Sequence, residues 1–321
     1  MAYIIQHTRL FRRWLSRIKF SALYFWRIII NKELIKMDRT KRVINLAISI
    51  CFWVIWQIWR WVRSAYGKQQ LNTCIVLYYH SVSLEQRKKF ALQMDDLIRF
   101  AKPIRADFTD FSGVGNHHAA VTFDDGFQSI LANAIPELVQ RKIPSTIFIP
   151  VGYLGTSAAW DQNSASLSIY EAVMTSDQIR EISSDLVSFG SHSVTHPHLP
   201  QLTETEALRE LTESRKKLES ILGHEIRLFS FPYGEYNQNL IKMSHQNEYV
   251  RVFTILPTLT SLDRNDYVIG RVLVDPDDWC LEFRLKLLGA YCWLSYAITL
   301  KHKILHILDS SLDYLKFRST P

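Results

Sequence analysis

Two stretches of this chain concentrate residue types that can do chemistry. "VTFDDGF" (121–127) sets Asp124 and Asp125 side by side after an apolar, β-branched run, and "HSVTH" (192–196) sets His192 and His196 four residues apart. Two imidazoles suit zinc or a related divalent ion. On a helical turn, a spacing of four puts both rings on one face. A carboxylate from the aspartate pair would make a third ligand, and His₂Asp plus water is an open, catalytic kind of site, not a closed structural one. Among eleven histidines, H-x-x-x-H alone is weak, and a chance pair or a capping arrangement at "THPHLP" competes with it. The pair "DD" raises its own question, because neighbouring side chains in a strand point to opposite faces. Both carboxylates reach one site only where the pleat gives way to a turn.

The elements that must position these groups alternate. Strands are expected at 73–80, 119–126, 145–150, 186–193, 227–234, 249–256 and 267–274, with helices at 84–100, 128–140, 175–183, 203–222 and 237–246. Alternation of this kind predicts an α/β fold with a parallel sheet, and about seven strands in this length point to a barrel, complete or imperfect. The unusual polar residues share one address in it. His80 ends the first strand, Asp124 and Asp125 the second, His192 the fourth, and Pro232 with Tyr233 the fifth. Active sites of parallel α/β barrels are built at this C-terminal rim.

"VTFDDGF", "SHSVTH" and "FSFPYG", in that order and led by "LYYHSV", resemble the polysaccharide deacetylase family of the NodB-homology type. The similarity runs from about Thr73 to Val274. The first two motifs are specific in combination and the third is looser. The resemblance implies a distorted (β/α), TIM-like barrel and metal-dependent removal of N- or O-acetyl groups from carbohydrate. By position it makes Asp124 the general base and Asp125, His192 and His196 the holders of the metal, most simply zinc. It makes Tyr233 the donor of a backbone N–H to the oxyanion, with Pro232 stiffening that turn beside the substrate. These roles suit amide hydrolysis, since a bound divalent ion lowers water's pKa towards about 7 and an ionised carboxylate nearby accepts the proton. Tyr233 and Tyr236 are placed either to stack on a sugar ring or to pack inside.

The chain departs from the family in three places. An arginine common two residues before the equivalent of Pro232 is Ser230 here, and Arg271 on a later strand is the residue that could replace it. "VDPDDW" (274–279) resembles the family's Asp/Trp motif through Asp275 or Asp278 with Trp279, but reads equally as an acidic turn capping a helix near Leu281. The leaving-group acid, a histidine in Leu-x-His, matches only "LKH" ending at His302, within a stretch that also reads as amphipathic helix; His80 is the other candidate. These gaps leave a second expectation open, a degenerate member that binds glycan or a synthase without catalysis. A metal-dependent phosphoesterase is disfavoured, because two-metal clamps need more ligands.

Charge separates an arm from the body. Residues 1–42 hold eleven Lys/Arg against Glu33 and Asp38, which leaves the rest of the chain with a slight acidic excess. A nucleic-acid-binding body would need a basic face of its own, so no nucleic-acid partner is expected. An arm this rich in Trp, Phe and Ile suits a membrane surface. "VINLAISICFWVIWQIWRWV" (43–62) has the length of a transmembrane helix. Its Asn45, Ser49, Gln57 and Arg60 fall in one arc of about 120°, so it either lies in the interface or spans and packs that stripe against a partner. If it spans, the basic flank keeps the N-terminus cytoplasmic and the body outside, in the cell envelope. The expected division is therefore a membrane-associating helical arm, 1–66, and a catalytic domain, 67–321, with a helical extension from about 280. The four cysteines show no C-x-x-C spacing and are expected to be buried apolar residues.

Overall fold

The computed structural model describes residues 39–67, 71–108, 116–158, 160, 171–261 and 266–300. Two compact units are separable, Met1–Ile48 and Ser49–Pro321, and the fold that positions the site lies in the second.

Ten strands form one sheet among the described residues: β1 (Thr73–Tyr79), β2 (Lys102–Pro103), β3 (His117–Phe123), β4 (Ser145–Ile149), β5 (Val187–Ser191), β6 (Leu228–Ser230), β7 (Arg251–Thr254), β8 (Leu259–Ser261), β9 (Val268–Gly270) and β10 (Val272–Leu273). Their order is β10-β1-β3-β4-β5-β6-β7-β9, with β2 on the edge of β3. The path is parallel throughout. One chain segment closes it, since β9 pairs with β7, β10 pairs with β1, and only Arg271 lies between them. The result is a mixed α/β, nearly closed barrel, as the alternating sequence predicts.

Its distortion has a local cause. The closing segment reaches only Leu77 and Tyr78 of β1, and β8 covers Thr73 to Ile75 of the same strand antiparallel. Neither β2 nor β8 carries a sequence signal of its own. The predicted helix 128–140 is two, Gln128–Asn133 and Ile135–Gln140, broken at Ala134, because Pro136 has no N–H to continue the ladder and its ring crowds the preceding turn, so it is tolerated only in the first turn of a new helix. The helices Ser176–Ile182 and Glu204–Leu222 start at full capping boxes on Thr175 and Thr203.

Strand periodicity sorts the core into two layers. Ile75, Leu77, Val121, Ile147, Phe229 and Val252 pack outward against the helices. Cys74, Val76, Ala120, Phe148, Leu228, Phe253 and Ile269 fill the barrel itself. The inward series continues through Tyr78 to His80, through Thr122 to Asp124, and from Leu228 to Ser230, so simple alternation aims these polar groups at the barrel's mouth. The cysteines divide in two: Cys74 and Cys292 are buried as expected, but Cys51 and Cys280 are exposed. Burial pushes the Cys74 thiol up to about 12, the behaviour of an inert core residue.

Candidate active site

Asp124 and Asp125 end up on the same side because the backbone reverses between them. Asp124 follows the inward series of β3 and donates its N–H to the Tyr79 carbonyl at 2.9 Å, extending the ladder by one rung. Asp125 then adopts φ +67°, and Gly126 φ +59°. Left-handed backbone is costly for a non-glycine residue, and such strain collects at functional sites. At Gly126 a Cβ would lie 2.2 Å from Ile149 Cδ1, so any other residue would have to displace that core side chain as well as adopt left-handed backbone.

The two histidines sit on a loop, which corrects the helical turn inferred from their spacing. His192 follows β5, and Ser193 and His196 are both left-handed, at φ +68° and +54°. His192 donates Nδ1–H to the Ser230 carbonyl at 2.7 Å, which fixes its tautomer and leaves the Nε2 lone pair facing inward. Nε2 of His192 and of His196 lie 3.7 and 3.4 Å from Asp125 Oδ1. The ligand atoms of Asp125, His192 and His196, all buried, fall within 4.8 Å of one another. Burial holds both imidazoles below their usual pKa, His192 at about 4 and His196 well below 6.5, with the pair's mutual repulsion adding to the effect on His196. Neutral rings facing a carboxylate at this spacing are what a divalent cation requires. The donor set therefore fits a metal.

One residue outside the motifs locks this loop. Glu210, on the helix Glu204–Leu222, accepts the Val194 and Thr195 N–H groups on Oε2 at 2.7 and 2.9 Å, and the Thr195 hydroxyl on Oε1 at 2.7 Å. From the other side the Gly152 N–H donates to the Val194 carbonyl at 2.8 Å, an approach that a Cβ would obstruct, lying 2.6 Å from the same oxygen. The Ser193 hydroxyl accepts the His196 N–H at 3.0 Å. Glu210→Ala is expected to weaken metal affinity by about 10–100-fold while the barrel stays folded, with Glu210→Gln intermediate; a metal titration by calorimetry checks this.

Asp124 has a different partner. The Arg271 guanidinium forks onto it, Nη1 to Oδ1 and Nη2 to Oδ2, both at 2.7 Å. Its remaining donors go to Ser230 Oγ (2.7 Å), Thr122 Oγ1 (3.2 Å) and the Thr254 carbonyl (3.3 Å). All five N–H groups of a fully buried arginine are thus matched to acceptors. The serine that stands where an arginine was expected is one of those acceptors. Burial alone would raise the Asp124 pKa, but Arg271, with smaller contributions from His192 and His80, holds it well below the usual carboxylate range. A fixed anion therefore stands beside the three-ligand cluster, and its charge is felt by His192, His196 and His80.

The rim is walled by aromatic rings. Tyr233 is left-handed at φ +57° in the turn Pro232–Gly234. Its ring stacks on His198 at 4.1 Å and meets His196 edge-on at 4.6 Å. Tyr236 stacks instead on Phe231 and packs against the core. Trp160, a residue without a sequence signal, lies 4.8 Å from the His196 ring. His80 keeps an exposed edge at the rim, its ring 5.6 Å from Tyr78 and its pKa held down first by the surrounding protein. His302 lies outside the described residues. Asp278 is not a helix cap: it accepts the Lys286 ammonium at 2.6 Å and the Asp275 N–H at 3.1 Å, and the helix Cys280–Leu287 begins at Trp279 without a side-chain cap.

An α/β barrel with two histidines, an aspartate and a clamped second aspartate at its C-terminal rim defines a class of hydrolase-like sites. Residues 112–252 match the family model for polysaccharide deacetylase. YxkH of Bacillus subtilis is 26% identical over 212 residues, 63% of this chain and 71% of that protein. Poly-beta-1,6-N-acetyl-D-glucosamine N-deacetylase of Staphylococcus aureus is 25% identical over 168 residues, and the match spans 49% of this chain and about half, 54%, of that enzyme. Among solved structures, IcaB from Ammonifex degensii superposes with a TM-score of 0.56 at 24% identity, covering 70% of this chain and 98% of that one. This structural likeness shares the barrel.

Proposed function

We propose that the barrel is a metal-dependent carbohydrate deacetylase, removing N-acetyl or O-acetyl groups from an envelope polysaccharide or a lipid-linked glycan. The observation that carries this reading is the convergence of Asp125, His192 and His196 beside an Asp124 that Arg271 keeps ionised. In the same reading residues 67–321 form the catalytic domain and residues 1–66 a membrane-associating arm, with the body on the outer side. An N-acetylglucosamine polymer is the first substrate to test, since the Staphylococcus aureus relative is named for one.

Asp125, His192 and His196 would hold the ion, most simply zinc. When bound, that ion supplies an acidified water and a Lewis acid for the acyl oxygen. Asp124 accepts the proton of the attacking water, and Arg271 holds both its carboxylate oxygens in one orientation while it does so. The backbone N–H of Tyr233 would donate to the former carbonyl oxygen as negative charge develops there. The Tyr233 ring, held by His198 and His196, walls the same side. His80, at the end of the first strand, is the candidate to return a proton to the leaving nitrogen.

The test is metal analysis of the purified full-length protein together with acetate release from N-acetylglucosamine oligomers, with added zinc and with chelator. His192→Ala combined with His196→Ala is expected to lose stoichiometric metal and acetate release in a protein that still unfolds cooperatively. Full metal occupancy with measurable glycan binding and no acetate release would identify a degenerate, glycan-binding member instead.

A further inference from the structure

The helix Arg39–Ala65 is long and apolar enough to cross a membrane, and its 18-residue window of highest hydropathy is only 6% buried. Within its Ser49–Val62 stretch, polarity is distributed the opposite way from a helix packed on a soluble core. The better-covered residues recur at helical spacing: Ser49, Phe52, Trp53, Trp56, Gln57 and Arg60. Ser49 is fully buried and its hydroxyl accepts the Trp293 indole N–H at 2.8 Å. At the far end of the stretch, His117, the first residue of β3, is held below its usual pKa by burial and in part by the positive charge of Arg60. Polar groups thus mark the side turned towards the body. The opposite side is apolar and open, with Ile55 at 66%, Ile58 at 57% and Trp61 at 72% exposure.

We infer that the Ser49–Val62 stretch lies in the plane of a lipid bilayer, its polar stripe resting on the base of the barrel and its apolar face inserted among the headgroups and upper acyl chains. This rests on the membrane association proposed above and replaces its spanning alternative. Ser49, bonded to Trp293, and Arg60, whose charge acts on His117, are separated by about 17 Å of helix. A helix crossing the bilayer upright would carry that length of the body into hydrocarbon with it, where polar groups cost several kcal/mol each. Laid flat, the same helix buries its outward isoleucines while the body stays in water. The helix Ala290–Leu300 adjoins Ser49 through Trp293 and extends the surface with Tyr296, 70% exposed, and Leu300, 60% exposed.

Lipid is a better match for this face than a second protein. Arg63 lies over the Trp59 ring at 4.8 Å, and Trp56 stacks on Trp59, an amphipathic arrangement suited to the headgroup level. The excess of Lys/Arg over residues 1–42 complements anionic headgroups. With no crossing at this helix, its basic flank ceases to fix the side on which the body lies.

The experiment uses the full chain and vesicles of phosphatidylcholine and phosphatidylglycerol. Nitroxide labels are attached singly, in a Cys280→Ser background, at the exposed native Cys51 and, with Cys51→Ser, at Val54→Cys, Ile58→Cys and Val62→Cys. In-plane insertion predicts one shallow, nearly constant depth for all four labels. A depth that changes steadily along the same four sites would overturn the proposal while leaving membrane association intact. Ile55→Glu with Ile58→Glu is expected to reduce vesicle flotation about tenfold or more without changing acetate release from a soluble oligomer. Absence of flotation by the unsubstituted chain, or a stable dimer that buries these sites and floats no better than the Glu variant, would also overturn it. Acetate release measured on the same preparations reports separately on the catalytic reading.

Discussion

Asp124→Asn is expected to lower acetate release by about 10²–10⁴-fold, the range for loss of a positioned general base, at unchanged metal content. Retained metal is the informative part, because Asp125, His192 and His196 are untouched by the substitution. An amide in place of the carboxylate cannot take the water's proton, and it presents one N–H to a guanidinium that has only donors. Arg271 is then a buried cation without its anion, so a loss of stability accompanies the loss of rate. Rates should therefore be expressed per metal-bound, folded molecule. If Asp124→Asn releases acetate as fast as the native protein under those conditions, the base lies elsewhere in the rim.

Removing the other half of the pair should be the most damaging single change to stability. Arg271→Ala strands the Asp124 carboxylate in a site with 0% and 5% side-chain exposure for the two partners. Breaking a buried pair in this way costs roughly 3–5 kcal/mol, and a domain of this size loses about 2–4 °C of melting temperature per kcal/mol. Ser230 and Thr122 also lose their donor, and the faces of Tyr78 and Phe148 lose the guanidinium that lies against them at 4.6 and 5.4 Å. Arg271→Lys keeps the charge but not the fork, and should recover part of the stability and little of the rate. Differential scanning calorimetry on both variants separates the two contributions. Equal melting temperatures for Arg271→Ala and the native protein would show that the pair does not hold the barrel closed.

Much of this architecture was legible because several independent signals agree. Each strand of the parallel path overlaps a predicted apolar run, β9 and β10 sharing the one at 267–274, and the helices expected from 175 and 203 start one residue later, at the N-caps Thr175 and Thr203. The rim address of His80, Asp124, His192 and Pro232 followed from where those runs end. What was not legible is mainly backbone handedness and partners distant in sequence. Nothing in "DDG" or "HSVTH" announces that Asp125, Ser193 and His196 are left-handed; local pattern suggested a helical turn, and the folded loop overrides it. Glu210 sits in "TETEALRELTESRKK" among residues that read as a solvated helix face, and only the tertiary contact reveals its role. Arg271 was visible as a candidate, but its match to Asp124 depends on barrel closure, which no local pattern encodes. The direction of the polar stripe on the Ser49–Val62 stretch was similarly open, since periodicity gives an arc and not the side the body occupies.

The position of Arg271 has a consequence in time as well as in space. Every metal-ligand candidate and Asp124 itself belong to chain made before residue 200, whereas the cation that clamps Asp124, the proposed base, arrives with the segment that seals the barrel. A nascent or truncated chain ending before that segment could gather its ligands and still lack an oriented base. Hydrolytic competence would then appear only as the closing segment docks.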